Sequence, residues 1–409
     1  MNFKLSEIVG HMKPSEIREL LKYATSNDIV SFGGGMPDPS TFPKKEIREI
    51  IDDVIEKNSD QALQYGNTAG LDTLRAELKK FVSRKEGIET DDDKIIVTAG
   101  SQQALYAIGR IFTDPGDPII TESPTYVGAV SAFNANAADM IQIRMDENGI
   151  VTDEVERRIT DLEGKGRKPK FIYVIPNFQN PTGVTLSLDR RKHLLEISEN
   201  HEIPIVEDNP YGELRYSGSK IPSIKSLDRN GNVIYMGSFS KIMSPGLRLG
   251  YIVSSEEVTN TVNLLKQALD LSTNTLSQFI AYEYLKRNII DRQVPKSIEI
   301  YRNKRDVMLA SLEKYFSDVG TWTKPEGGMF VWATVKGDIN TSKMLMSAVR
   351  KGVIYVSGPA FTADNSHTRS MRLNFTFPEN EKLIEGIKRL SEVVKAEEAK
   401  ISNQAENKI

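Results

Sequence analysis

The chain has 409 residues, 39% hydrophobic and 27% charged, which excludes a disordered chain or a small disulfide-stapled scaffold and leaves room for a large domain plus a smaller one. A formal net charge of -3, with basic residues scattered among acidic ones, argues against a nucleic-acid partner. Cysteine is absent, which removes disulfides, thiolate metal sites and cysteine nucleophiles and fits a reducing, cytoplasmic location.

The N-terminal stretch "MNFKLSEIVGHMKPSEIREL" has no apolar core of signal-peptide length, and no window approaches 18 uninterrupted apolar residues. Neither export nor a membrane partner is expected. Within it "KPSEIREL" reads as an amphipathic helix carrying Arg18, and "SFGGGMPDPSTFP" as an adjoining loop whose glycines permit close backbone approach. From about residue 94 one rhythm repeats: a short β-branched run ends in Gly, Ser, Asn or Asp, and a helical segment follows. The runs are "KIIVTAG", "PIITES", "FIYVIPN", "IPIVED" and "NVIYMGS". Such runs indicate a mostly parallel sheet covered on both faces. Ligands then bind where the strands release their C-terminal ends. After about residue 255 the pattern turns helical, with a long polar helix expected from Pro295 to about Phe316. "GGMFVWATV", "VIYVSG" and "SMRLNFTF" then read as strands of a small α+β unit, and the last stretch as a helix end fraying into a polar tail.

The strand ends carry the chemistry. "TAGSQQAL" follows a strand and opens a helix, so the backbone N–H groups of Ser101 and Gln102 would face an anion, although a Gly-Ser turn is also an ordinary helix cap. Ser238, Ser240 and Arg248 add the donors that a phosphate monoester requires. Asp208 ends an apolar strand, where a carboxylate calls for a cationic partner or serves as a turn residue. Asn180 sits in "NPTG", where Pro181 and Gly183 force a turn. Lys241, in "GSFSKIMSPGLRLGY", is a surface lysine or, if buried among neutral and cationic neighbours, a carbonyl-reactive amine of lowered pKa. A phosphate cup, Asp208, Asn180, Tyr126, Tyr211 and Lys241 at one crevice match the needs of pyridoxal 5'-phosphate. The histidines at 11, 193, 201 and 367 show no paired spacing, so no metal is expected.

"NPTG", "EDNPYGEL", "GSFSK", "GLRLGY" and "MRLNF", in that order and spacing from about Ser31 to Phe377, resemble the motif series of the fold type I, class I/II aminotransferases. "QYGNTAG", "TAGSQQAL" and "PEGGMFVWA" are similar to the branch that includes 2-aminoadipate, kynurenine and aromatic aminotransferases. The resemblance implies an α/β large domain with a mostly parallel seven-stranded sheet plus a small α+β domain, divided as 1–45 (arm and helix, part of the small domain), 46–294 and 295–409. It implies that Lys241 holds the cofactor covalently and then carries protons, and that Asp208 pairs with the pyridine nitrogen. Tyr211 and Asn180 would bond the 3'-oxygen, Tyr126 would stack on the ring, and Ser101, Gln102, Ser238, Ser240 and Arg248 would bind phosphate. Tyr65 would reach the neighbouring subunit's phosphate, so a homodimer with shared sites is implied. Arg372 would take the substrate α-carboxylate, beside Asn180 and Gly35, and Arg18 the distal carboxylate of acidic substrates. The substrates implied are an amino acid and a 2-oxo acid.

Three rivals stand beside this. Ser238 to Lys241 also reads as the S-x-x-K of acyl hydrolases, but no K-[ST]-G occurs and the motif serine should open a helix. A ligand-sensing regulator would need a basic DNA-binding module ahead of the catalytic region. Racemase, β-lyase or decarboxylase chemistry would use the same scaffold.

Overall fold

The computed structural model describes residues 3–12 and 28–406, so Arg18 and the "KPSEIREL" helix lie outside the described residues. The central sheet contains β1 (Ile95–Thr98), β2 (Pro118–Ser123), β3 (Asp139–Asp146), β4 (Gly149–Ile150), β5 (Ile172–Val174), β6 (Ile205–Asn209), β7 (Val233–Ser238) and β8 (Gly250–Val253). Its order is β1-β8-β7-β6-β5-β2-β3-β4. The strands from β7 to β3 are parallel, whereas β8 runs antiparallel to both of its neighbours. The expected seven strands are therefore present, and the two-residue β4 adds an eighth by turning back on the end of β3.

Successive residues of the central strands enter opposite cores, which is why these runs are continuously apolar. Ile119, Val206 and Ile234 join one buried cluster, while Ile120, Ile205 and Val233 join another. The first cluster continues into a four-stranded antiparallel sheet of β9 (Gly320–Trp322), β10 (Phe330–Val335), β11 (Val356–Ser357) and β12 (Ser370–Asn374), ordered β9-β10-β12-β11. Upstream, Val30–Ser31 pairs in parallel with Val353–Ile354 and leads the chain into the glycine-rich segment 33–35.

Two helix boundaries differ from the sequence reading. The helix expected to begin at Pro295 spans Ile290–Tyr315 and takes Pro295 inside it. Burial of Ile290 and Val294 in a hydrophobic cluster holds the extra turn against the missing proline N–H. The final helix runs Asn380–Glu406, anchored through Leu383, Ile387, Leu390 and Val394 on one face. Among the described residues no helix is long and apolar enough to cross a membrane.

Candidate active site

Because β2, β5, β6 and β7 are parallel, their C-terminal ends open on one edge of the sheet. That edge gathers Tyr126, Asn180, Asp208 and Lys241. Asp208 is 1% exposed, and its environment is set by strand register. Tyr173 on β5 pairs opposite Val206, so Asp208, two residues further on the same face, meets the Tyr173 hydroxyl, which donates to Oδ2 at 2.9 Å. Oδ1 is buried without a hydrogen-bond partner among the described residues. Burial pushes this carboxyl from an ordinary value of 3.8 up to about 7, against the Tyr173 hydrogen bond. An acceptor in that state calls for a cationic N–H.

Lys241 follows the end of β7, and its Nζ donates to the Gly35 carbonyl at 2.7 Å. Burial of the amine, followed by the charges of Arg372 and Arg248, pushes its pKa from 10.5 down to about 8. The amine is thus a usable nucleophile near neutral pH. Ser238 closes a strand instead of opening a helix, so the acyl-hydrolase arrangement is not formed.

Arg372 lies in the middle of β12, paired opposite Trp332 and Val356, and is 1% exposed. One terminal nitrogen donates to Asn180 Oδ1 at 3.0 Å and the other to the Gly33 carbonyl at 2.8 Å, while Nε is buried without a partner among the described residues. The guanidinium rests 4.2 Å from the Phe330 ring centroid and 5.1 Å from that of Phe361. Burial lowers its pKa from 12.5 to about 10, so it remains a cation. Asn180 joins it to the next group, its Nδ2 donating to the Tyr211 hydroxyl at 3.2 Å. Burial raises the pKa values of the Tyr211 and Tyr126 phenols, which stay protonated.

The turn expected to receive an anion lies where β1 leads into the helix Ser101–Phe112. Gly100 has φ +75°, and Gly250 lets the turn sit against β8, since a Cβ there would fall 2.9 Å from both Gly100 C and Ser101 N. Ser101 Oγ is buried without a partner among the described residues. The Gln102 side-chain amide donates to the Gly128 carbonyl at 2.8 Å, and its backbone N–H lies in the first turn of the helix. Ser238 Oγ accepts from Ser240 N–H at 3.2 Å, and Arg248 turns in the left-handed region, at φ +53°, toward Gly100.

Tyr65 is not brought to this crevice by its own chain; it stands 82% exposed after the helix Lys44–Ala62. Sequence reasoning missed Tyr173, Glu122, Gln179 and Gly33. Tyr173 carried a signal, a polar tip in the run "FIYVIPN", and Gly33 another as part of a glycine run that permits close backbone approach, whereas Glu122 and Gln179 carried none.

Residues 28–390 match the family model for aminotransferase class I and II. The chain is 49% identical to the aromatic-amino-acid aminotransferase 1 of Thermococcus litoralis, over 96% of its own length and 94% of that protein's. Its fold matches the kynurenine aminotransferase of Pyrococcus horikoshii, solved in complex with PMP, with a TM-score of 0.93 at 46% identity over 96% of this chain and 97% of that one. It matches the alpha-aminoadipate aminotransferase of Thermus thermophilus, complexed with N-(5'-phosphopyridoxyl)-L-leucine, with a TM-score of 0.87 at 34% identity over 96% and 97% of the two chains.

Proposed function

The chain belongs to the class I and II aminotransferases, and on that premise we propose that it passes the amino group of a 2-aminoadipate, glutamate or aromatic L-amino acid to a 2-oxo acid, with 2-oxoglutarate the favoured acceptor. The two half-reactions alternate at one site. The observation that carries this reading is a set of charges unmet among the described residues: an amine and a buried guanidinium whose partners are an amide and carbonyls, beside a buried carboxylate oxygen with no donor.

The residues fit pyridoxal 5'-phosphate. Among the described residues, Asp208 Oδ1 lacks the donor that a pyridinium provides and Ser101 Oγ lacks the acceptor that a phosphate provides. When bound, this cofactor supplies an aldehyde for the amine and a ring that withdraws electrons from the substrate α-carbon. Asp208 would hold the proton on the ring nitrogen. Asn180 and Tyr211 would orient the 3'-oxygen, Tyr126 would cover the ring, and Ser101, Gln102, Ser238, Ser240 and Arg248 would bind the phosphate. Lys241 would hold the cofactor through Nζ, and once displaced by the substrate amine would take the α-proton on that nitrogen and deliver it to the former aldehyde carbon, a 1,3-shift. Arg372 would clamp the α-carboxylate with its planar fork beside Gly35, and Arg18 would receive a distal carboxylate. The division into units 1–45, 46–294 and 295–409 is part of this reading, the small unit closing over the substrate.

Exposed Tyr65 at 82%, with Leu63 at 70% and Leu271 at 59%, supports a homodimer in which Tyr65 completes the partner's phosphate site. A cytoplasmic location rests on the absence of cysteine. Half-reaction kinetics with a panel of amino acids, followed by the cofactor's visible absorbance, tests the function. Bleaching by glutamate, 2-aminoadipate and aromatic amino acids, with release of the 2-oxo acid, is expected. Release of ammonia or of a D-amino acid instead would assign the site to lyase or racemase chemistry.

A further inference from the structure

Between the segments that carry Tyr126 and Asn180 lies a buried carboxyl that the mechanism does not use. Glu122, the penultimate residue of β2, is 1% exposed. Its Oε2 accepts from the Ile175 N–H at 3.3 Å and from Gln179 Nε2 at 3.0 Å. The same Nε2 donates to the Pro124 carbonyl at 2.7 Å, while Gln179 Oε1 accepts from the Thr182 N–H at 2.9 Å and from Thr182 Oγ1 at 2.8 Å.

A primary amide offers two donors and two acceptor sites, and here all four are used. Two of the partners, a backbone carbonyl and a backbone N–H, have fixed roles, so the amide can face only one way. Gln179 is fully buried and therefore acts through its neighbours. On one side it fixes Pro124, two residues before Tyr126; on the other it fixes the turn that starts with Asn180, whose amide spans Tyr211 and Arg372.

We propose that Gln179, oriented by Glu122, is the positioning residue that sets the spacing between Tyr126 and Asn180, and with it the seat of the cofactor ring. The inference rests on the reading that Tyr126 and Asn180 contact that ring. It makes a chemical demand: the atom of residue 122 facing Gln179 must be an acceptor. A glutamine at 122 offers one through its carbonyl oxygen, and a leucine does not.

The test uses the holoenzyme of the wild type and of E122Q, E122L, Q179L and N180A. Measured for each are the dissociation constant of pyridoxal 5'-phosphate, the position of the visible absorbance band, kcat and KM for glutamate, and the unfolding temperature of the cofactor-free protein. Q179L and E122L are expected to weaken cofactor binding about tenfold or more, to move the band, and to lower kcat more than they raise KM. E122Q should recover cofactor affinity and band position to within about threefold of the wild type. Lowered unfolding temperatures with wild-type cofactor affinity and band in both Q179L and E122L would reduce the pair to packing and overturn the proposal. So would an E122Q protein as impaired as E122L. An effect in N180A alone sinks this proposal and leaves the proposed function standing, whereas no effect in N180A sinks the contact reading itself. Should Q179L fail to fold, the comparison of E122Q with E122L decides.

Discussion

Replacing Asp208 with Asn probes the most strongly opposed group in the site. Burial lifts its carboxyl from 3.8 to about 7 in the folded, cofactor-free protein. At about 1.4 kcal/mol per tenfold change in proton affinity, ionising it inside the fold costs about 4 kcal/mol. The direction follows from linkage. Below pH ~4 both the folded and unfolded states hold the proton, and no penalty exists. Between pH ~4 and ~7 the unfolded chain releases the proton while the folded chain keeps it, so stability falls as pH rises; above that range the full penalty is present. Burial also raises Glu122 to about 8 and Glu86 to about 7, and lifts Glu207 as well, so the wild-type curve alone mixes several groups. The difference between wild type and D208N follows Asp208 together with the smaller coupling through which its charge raises Glu122. Urea unfolding of both cofactor-free proteins from pH 4.5 to 8.5 should show D208N gaining on the wild type by up to ~4 kcal/mol across the range, with no further gain above it. Addition of pyridoxal 5'-phosphate should then favour the wild type, because a ring cation beside Oδ1 removes the penalty. Parallel stability curves together with equal cofactor affinities would refute the assignment of Asp208.

Arg372→Ala should raise KM for all amino acid substrates alike, by about 100-fold for the loss of ~3 kcal/mol of charge-assisted bonding, and Arg372→Lys should recover only part of it; steady-state kinetics with unchanged KM would remove Arg372 from carboxylate binding. The Lys241 amine, lowered to about 8, is free base above that pH, so its labelling by an amine reagent in the cofactor-free protein should reach half its maximum near pH 8 while surface lysines are still mostly protonated. Peptide mass spectrometry over pH 6 to 10 reads this, and a Lys241 that titrates with the other lysines contradicts it. Arg18→Ala should raise KM for dicarboxylic substrates selectively, and equal losses with aromatic ones would exclude it from specificity.

The parallel core was legible because its strands are buried on both faces and read as unbroken β-branched runs. β3, "DMIQIRMD", was not, since it lies toward the sheet edge, where polar residues alternate with apolar ones. β8 is only four residues long, and its antiparallel pairing with β1 and β7 is a long-range choice that no local pattern records. In the site, residues fixed by turn chemistry were recognisable, as with Asn180 before Pro181 and Ser101 at a helix start. Those fixed by register were not: Tyr173 becomes the partner of Asp208 only once β5 and β6 align. Glu122 and Gln179, 57 residues apart, meet only in the folded crevice. The glycines of 33–35 suggested close approach, yet the carbonyls of Gly33 and Gly35 receiving Arg372 and Lys241 are visible only in three dimensions.

The proposed chemistry depends on one nitrogen, Lys241 Nζ. Borohydride reduction of the holoenzyme followed by peptide mapping should place a phosphopyridoxyl group on Lys241, and Lys241→Ala should bind the cofactor reversibly with turnover abolished. A reduced label on any other lysine, or full activity in Lys241→Ala, would contradict it.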